Sequence, residues 1–175
     1  MAKTRLHTAY SIWLTPGSWQ QLFTNLQYHT MIAACLNDCA HENGMVINGY
    51  VITNSSICLV LQNERKKCHD LLSLFYECVQ NRIAAHCKHN HEKDDSIYLP
   101  VYNLFIKHHV HNPIVIQLLT DQKAAFPFYN EAFERLKYIL QNEPFCSVID
   151  YSGAVGPVII SKPENNVSVV ILILK

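Results

Sequence analysis

The sequence lacks an excess of either charge. Its 175 residues include 14 Lys and Arg and 14 Asp and Glu, so the formal net charge is zero. A chain without net charge has no overall field that attracts nucleic acid or an anionic membrane surface. Any binding to phosphate groups must therefore come from a local cluster of basic side chains.

The chain also lacks an apolar run long enough to cross a bilayer. The longest run, VSVVILILK at the C-terminal end, is far below the about 20 residues that a membrane-spanning helix needs. Its length and its β-branched residues favour a buried strand. Because no signal-peptide pattern opens the sequence, we expect a cytoplasmic protein with no membrane partner.

The seven cysteines lack the spacing of a metal site or of a disulfide framework. Their number is odd, and most lie inside apolar periodic segments, which is typical of buried free thiols in a reducing compartment. Cys35 and Cys39 form a C-x3-C pair, but no second pair follows at zinc-binding spacing. Residues four positions apart share one helix face, so we interpret both as core residues.

What the chain does contain is enough apolar sequence for one well-buried core. Hydrophobic residues make up 49% of the sequence, which favours a single domain. Periodicity and turn residues predict these elements in chain order: a strand over 5–15, a helix from a Ser18 cap to the NG at 43–44, strands over 45–53 and 55–62, a helix from an Asn63 cap to about 87, and a strand over 97–109.

This order of elements predicts the fold class. Strand, helix, strand, strand, helix, strand is the ferredoxin-like βαββαβ order, an α+β fold whose antiparallel sheet carries two helices on one face. Beyond it, the sequence predicts a third helix over about 128–142 and a C-terminal β-hairpin that turns at 163–166. We therefore expect a ferredoxin-fold domain over 1–145, with 146–175 as a C-terminal β extension of the same domain.

The second strand of the predicted hairpin divides its residues between two faces. Ile57, Leu59 and Leu61 alternate on one face and suit a core beneath the helices. Ser56 and Cys58 then point to the other face, which is open in a ferredoxin-like sheet and available to ligands or partner chains. This face is the first place to look for a site.

The stretch NGYVITNSSICLVLQ resembles the strand-turn-strand of the HUH single-strand transposases, and especially of the REP-associated tyrosine transposases. That family typically has Y-V-V-M-P-N-H-V-H-L-L here, which Tyr50, Val51, Ile52, Leu59 and Val60 fit. The resemblance extends over roughly residues 5–145. It implies single-stranded hairpin DNA as the partner, and a homodimer that pairs through its sheets.

The two histidines of the family hold a divalent metal, Mg²⁺ or Mn²⁺, that polarises the scissile phosphate. Ser56 and Cys58 occupy their places in this sequence. A serine hydroxyl is a poor ligand, and a thiolate is too soft for either ion. The resemblance therefore implies impaired metal-dependent cleavage, while the alternative is that both residues are ordinary sheet side chains.

A second stretch, ERLKYILQNEP over 134–144, is similar to the helix that carries the family's nucleophile. By that match Tyr138 is the nucleophile, which would form a phosphotyrosine bond, and Asn142 completes the metal shell. Tyr138 also lies off the apolar stripe of this helix, with Asn142 one turn later. Tyr129 is a second candidate nucleophile, and the alternative for Tyr138 is a half-exposed tyrosine on a surface helix.

The histidines offer a possible replacement for the lost metal ligands. His109 and His111 repeat the H-hydrophobic-H spacing on an extended segment, and the loop HCKHNHEKDD adds further candidates. Solvent-exposed histidines in a loop and at a strand end are the alternative interpretation.

Basic residues near the second predicted helix are candidates for contact with DNA phosphates. They are Arg65, Lys66, Lys67 and Arg82. A surface helix normally carries charges in any case, so this pattern has a purely structural alternative.

Three functions from different classes remain open. The first is a transposase-like protein of the HUH tyrosine class that binds single-stranded hairpin DNA and is impaired in strand cleavage. The second is a domesticated dimerisation or interaction module with no nucleic-acid chemistry, which the zero net charge and the residues Ser56 and Cys58 favour. The third is an unrelated ferredoxin-like enzyme or small-ligand binder that uses the histidines.

Overall fold

The structure is a computed structural model that describes residues 10–89, 103–110, 112–122 and 129–162. These residues form four strands, five α-helices and a short 3-10 helix. In chain order they are β1 (Tyr10–Pro16), the 3-10 helix (Ser18–Leu22), α1 (Asn25–Asn43), β2 (Ile47–Thr53), β3 (Ser56–Leu61), α2 (Arg65–His89), β4 (Phe105–His109), α3 (Pro113–Leu119), α4 (Glu131–Gln141) and α5 (Val148–Tyr151).

The strands form one antiparallel sheet in the order β2-β3-β1-β4. In the middle of the sheet, Ile12 of β1 lies opposite Leu59 of β3 on one side and His109 of β4 on the other. One irregularity interrupts the register of β2 between Ile47 and Gly49. The described chain is thus an α+β fold, as the sequence predicts.

The larger core lies between the sheet and the two long helices. Its strand residues include Ile57, Leu59 and Leu61, which confirms the predicted core face of β3. Helices α1 and α2 close this core with fully buried side chains. These are Tyr28, Ile32, Cys35 and Leu36 from α1 and Cys68, Phe75 and Val79 from α2.

The prediction of one continuous helix from Ser18 is wrong. Ser18–Leu22 form a 3-10 helix, and α1 begins only after Thr24. The Thr24 hydroxyl accepts a hydrogen bond from the Gln27 backbone N–H at 3.3 Å, and the Gln27 side chain accepts one from the Thr24 N–H at 2.9 Å. This reciprocal capping box stabilises a helix start at that point. The predicted end is confirmed, since Gly44 terminates α1 with φ at 69°.

The second long helix is confirmed, but Asn63 does not serve as its predicted cap. Its side-chain oxygen instead accepts a hydrogen bond from the Val46 N–H at 2.7 Å, and its amide donates to the Gly44 carbonyl at 3.1 Å. Asn63 thus ties the start of α2 to the chain that leads into β2.

Within the described residues, two other predicted elements begin later than predicted. Strand β4 begins at Phe105, and residues 97–102 of the predicted strand lie outside the described residues. Helix α4 begins at Glu131, where the Asn130 side chain caps it by accepting from the Phe133 N–H at 3.0 Å.

The predicted C-terminal hairpin falls mostly outside the described residues, which end at Lys162. Residues 156–162 form no strand. Their backbone is held instead by Asn37 of α1, whose amide donates to the Pro157 carbonyl at 3.0 Å and accepts from the Ile159 N–H at 2.8 Å.

The second face of the sheet is not open, contrary to the expectation from the sequence. Helices α3 and α4 and the segment around Cys146 cover its β2–β3 half and form a second core. The buried members of this core are Val51, Cys58, Val60, Ile116, Leu119, Leu140 and Cys146. Because α3 lies in a stretch for which the sequence predicts no element, this covering layer could not be anticipated.

Close backbone contact holds this covering layer against β2. A Cβ atom on Gly49 would lie 2.5 Å from the Leu119 carbonyl oxygen, so only glycine allows the end of α3 to approach this strand. The buried Ser147 hydroxyl donates to the same Leu119 oxygen at 2.7 Å and accepts from the Tyr50 N–H at 3.0 Å. Leu119, Ser147 and Gly49 together fix where α3 rests on the sheet.

We expect Gly49→Ala to destabilise the protein by about 1–3 kcal/mol, because the added methyl group must push the α3 backbone away from β2. Gly17→Ala is a suitable control, since its Cβ would meet the Asn103 oxygen at 3.2 Å, a milder contact. Denaturant unfolding measures both. Equal stability losses in the two variants would contradict the proposed close contact.

Candidate functional site

Ser56 and Cys58, the positions that the transposase resemblance assigns to metal ligands, lie on the covered face of the sheet. Ser56 is 6% exposed, and its hydroxyl lies 2.9 Å from the Thr53 hydroxyl across the turn of the hairpin. Cys58 is completely buried in the second core, between Val51 of β2 and Trp13 of β1. No phosphate can approach Cys58 while α3 and α4 remain in place.

The chemistry of Cys58 also argues against metal binding. Burial raises the pKa of the Cys58 thiol to about 12, and nearby Cys146 adds to this shift. The thiol therefore keeps its proton near neutral pH, whereas a cysteine ligand binds metal as the thiolate. Val51 of β2 pairs with Cys58 of β3 on one side and with Cys146 on the other, so the backbone of β2 lies between the two cysteines. Adjacent strands are about 4.8 Å apart, so these two cysteines are too far apart for a disulfide.

The predicted nucleophile lies on the outside of the covering layer. Tyr138 is 68% exposed on α4, whereas Leu140, two residues later, is buried against the sheet. Two residues in a helix correspond to a rotation of about 200°, so the two side chains point in nearly opposite directions. Tyr129, the second candidate nucleophile, is 78% exposed just before α4.

Asn142 is engaged within its own helix. Its side-chain amide donates to the Tyr138 carbonyl at 2.8 Å, and its backbone N–H caps the last turn of α4. This use satisfies orphan carbonyl groups at the helix end. The structure therefore places Tyr138 and Asn142 together on α4, but it does not bring them to the face of Ser56 and Cys58.

The four candidate DNA contacts do not form one cluster. Lys66 and Lys67 are exposed in the first turn of α2, where Arg65 begins the helix. Arg82 lies sixteen positions beyond Lys66 along α2, which is about 24 Å at 1.5 Å per residue. Its guanidinium donates to Asp38 of α1 at 2.6 Å, so its charge is already compensated.

A small basic surface that sequence analysis missed joins α2 to the edge of the sheet. The Lys107 ammonium group of β4 lies 3.5 Å from Nδ1 of His69 on α2. The Tyr10 ring contacts both His69 and His109, each with ring centroids 5.9 Å apart. No sequence signal could have revealed this surface, because Lys107 and His69 are brought together only by the fold. His111, the other half of the predicted metal pair, lies outside the described residues.

A groove of about 500 Å³ between α1 and α2 is a second feature that the sequence does not reveal. Two of its polar side chains bind within the protein: Arg82 pairs with Asp38, and His86 Nε2 lies 3.2 Å from the Leu22 carbonyl. The remaining surface is mostly apolar. The lining residues are Phe23, Leu26, Gln27, Thr30, Met31, Ala34, Arg82, Ala85 and His86.

The chain matches no protein-family model, no curated protein and no solved structure. The resemblance to the transposases therefore stays a prediction from two short stretches. Within the described ranges, no three His, Cys, Asp or Glu side chains are grouped so that they could hold a metal ion. In that same part of the chain, no helix has the length and apolarity to cross a membrane.

We expect stability to fall as pH rises above about 9, since the native pKa of Cys58 is raised to about 12 from 9.0. Below pH 9 the thiol is protonated in both the folded and the unfolded chain, so its contribution is fully present. Between these values only the unfolded chain ionises, which costs on the order of 1.4 kcal/mol per pH unit.

Denaturant unfolding at several pH values measures this loss. Cys58→Ala should be less stable at neutral pH but should lose stability less steeply as the pH rises. The same pH slope in both proteins would mean that the native thiol ionises freely and is not sealed from solvent.

Proposed function

We propose that this chain is a non-catalytic dimerisation and interaction module that carries out no strand cleavage. The observation that carries the proposal is the complete burial of Cys58 beneath α3 and α4. A phosphate, a metal ion and the Tyr138 hydroxyl cannot meet at a face that a hydrophobic layer covers. The zero net charge of the chain agrees with a partner other than nucleic acid.

We also propose that the fold is ferredoxin-like. Its support is the order of elements, in which β1, α1, β2, β3, α2 and β4 follow one another, and the antiparallel order β2-β3-β1-β4. On this scaffold α3, α4 and α5 are additions that cover the second face. Such a cover fits a protein whose sheet stabilises the fold and whose sheet edges and helices bind partner proteins.

The edge of the sheet at β4 is the surface through which we propose that two copies pair. β1 is the one strand neighbour of β4 within the described residues. Ile106 in β4 is 63% exposed, an unusual position for a large β-branched residue. An exposed edge strand with an apolar side chain favours pairing with another strand.

Dimerisation is tested with two variants that place a charge at residues of matched exposure. Leu26 on α1 is 68% exposed and Ile106 is 63% exposed, so Leu26→Glu controls for the general effect of surface charge. We expect a dimer in sedimentation equilibrium for the natural chain and for Leu26→Glu, and a dimer at least about tenfold weaker for Ile106→Glu. A monomer at every concentration of the natural chain would contradict dimerisation, and weakening by Leu26→Glu alone would move the interface to the groove.

Binding of single-stranded DNA is the second candidate function, and the basic surface of α2 and β4 favours it. Lys66 and Lys67 are exposed, and Lys107 lies beside His69. These side chains are available to phosphates without any opening of the sheet face. In this case the chain would be a transposase-like binding protein without cleavage, and Mg²⁺ or Mn²⁺ would not be its cofactor.

One assay with labelled hairpin DNA and Mg²⁺ or Mn²⁺ separates these functions. We expect no covalent adduct on a denaturing gel, either from the natural chain or from Tyr138→Phe. An adduct that Tyr138→Phe abolishes would overturn the proposal and restore the nuclease. DNA retention on a native gel without an adduct, lost in the double variant Lys66→Glu, Lys67→Glu, would instead favour the second candidate.

A further inference from the structure

The exposed edge of β4 has a hydrogen-bonding pattern that its pairing with β1 determines. At one end of the strand the Gly17 N–H donates to the Leu104 carbonyl at 3.0 Å, and at the other end the Val110 N–H donates to the Ser11 carbonyl at 3.5 Å. In an antiparallel pair, residues that exchange hydrogen bonds alternate with residues whose backbone groups point away. Even-numbered residues of β4 therefore bind β1. The residues whose backbone N–H and C=O groups point away from β1 are Phe105, Lys107 and His109.

The side chains of β4 divide between the two faces of the sheet. Lys107 pairs with Leu14, which lies in the larger core, so Lys107 is on the face of α1 and α2. Ile106 pairs with Thr15 and lies on the second face. The covering layer spans the β2–β3 half of that face and leaves Ile106 63% exposed. A second strand can therefore approach this edge without displacing either helical layer.

A second copy of the chain can pair with this edge in a small number of symmetric registers. In an antiparallel pair, opposite residues share a face and neighbouring residues alternate, so a two-fold axis perpendicular to the sheet must pass through a residue position. Registers that overlap more than half of the five residues of β4 place this axis at Ile106, Lys107 or His108. The charges of the side chains distinguish these three registers.

Two of the three registers bring basic side chains together. With the axis at Lys107, its ammonium group lies opposite the same group of the second copy. With the axis at His108, the two copies of that imidazole lie opposite each other, and Lys107 lies opposite His109. Like charges directly opposite one another destabilise strand pairing. With the axis at Ile106, this apolar side chain meets its own copy and Lys107 lies opposite Phe105, so no basic side chain is opposite another.

We propose that two copies pair through β4 with Ile106 on the two-fold axis, so that their four-stranded sheets join into one sheet of eight strands. This inference rests on the proposed dimer and specifies its register. Phe105 and Lys107 of each copy exchange backbone hydrogen bonds with Lys107 and Phe105 of the other. The Ile106 side chains meet in a non-hydrogen-bonded pair, the kind in which opposite Cα atoms are closest, at about 4.5 Å.

This register gives the side chains at the axis apolar partners. On the second face, Ile106 lies between Thr15 of its own β1 and the Ile106 side chain of the second copy. On the other face, the Phe105 ring stacks on Phe75 with centroids 5.7 Å apart. The carbon stem of Lys107 can extend beside the Phe105 ring of the second copy while its ammonium group stays in water. The pairing thus buries Ile106 without burying a charge.

Disulfide crosslinking of three cysteine variants tests the register. In the proposed pair, Ile106→Cys places the two substituted positions about 4.5 Å apart between Cα atoms, within the range of about 4.4–6.8 Å that a disulfide spans. Mild oxidation should give a covalent dimer and a linked peptide that contains position 106 of both copies. In Lys107→Cys and His108→Cys, the substituted positions of the two copies are offset along the strands and lie about 8 Å or more apart. Both should link at least about tenfold more slowly.

The natural chain is the control for its own thiols, since Cys78 and Cys87 are half-buried. Sedimentation equilibrium of each reduced variant shows whether the dimer forms before oxidation. Faster linking of Lys107→Cys or His108→Cys than of Ile106→Cys would overturn the register and leave dimerisation standing, and so would a reduced dimer that links at none of the three positions. A natural chain that is monomeric at every concentration would instead overturn the proposed dimer, and the register with it.

Discussion

The close contact between β2 and the end of α3 determines how the second face of the sheet is covered. Gly49 leaves space for the Leu119 carbonyl, and the Ser147 hydroxyl binds that carbonyl and the Tyr50 backbone at once. Removal of this hydroxyl would leave its buried backbone partners without a hydrogen bond, which would lower the stability by about 1–3 kcal/mol. Because the contact is made by backbone and small residues, it brings α3 directly onto the sheet and leaves no room for a ligand.

Closure of that face separates residues that the sequence motifs suggest should act together. Ser56 and Cys58 lie beneath the covering layer, whereas Tyr138 lies on its outer surface. Hydrophobic burial decides between these arrangements, since α4 must turn Leu140 inward and thereby turns Tyr138 outward. The covered fold therefore keeps Tyr138 apart from Ser56 and Cys58.

Much of the fold could be predicted from the sequence, because the alternation of Ile57, Leu59 and Leu61 and the periodicity of the long helices have a direct physical meaning. Some details depend on local hydrogen bonds that the prediction missed, such as the Thr24 capping box, which makes α1 begin at Asn25 and not at Ser18. The cover over the second face was beyond prediction, since it depends on a Gly49 contact between residues 70 positions apart. Likewise, the contact between His69 and Lys107 leaves no mark in the sequence.

The face of Cys58 should be sealed from solvent in the folded protein. Brief alkylation of the native chain with iodoacetamide, followed by peptide mapping, measures this directly. We expect iodoacetamide to label the half-buried Cys78 and Cys87, while Cys58 and Cys146 stay unlabelled until denaturant is added. Labelling of native Cys58 as fast as Cys87 would show that the covering layer opens readily, and it would return the transposase-like site to consideration.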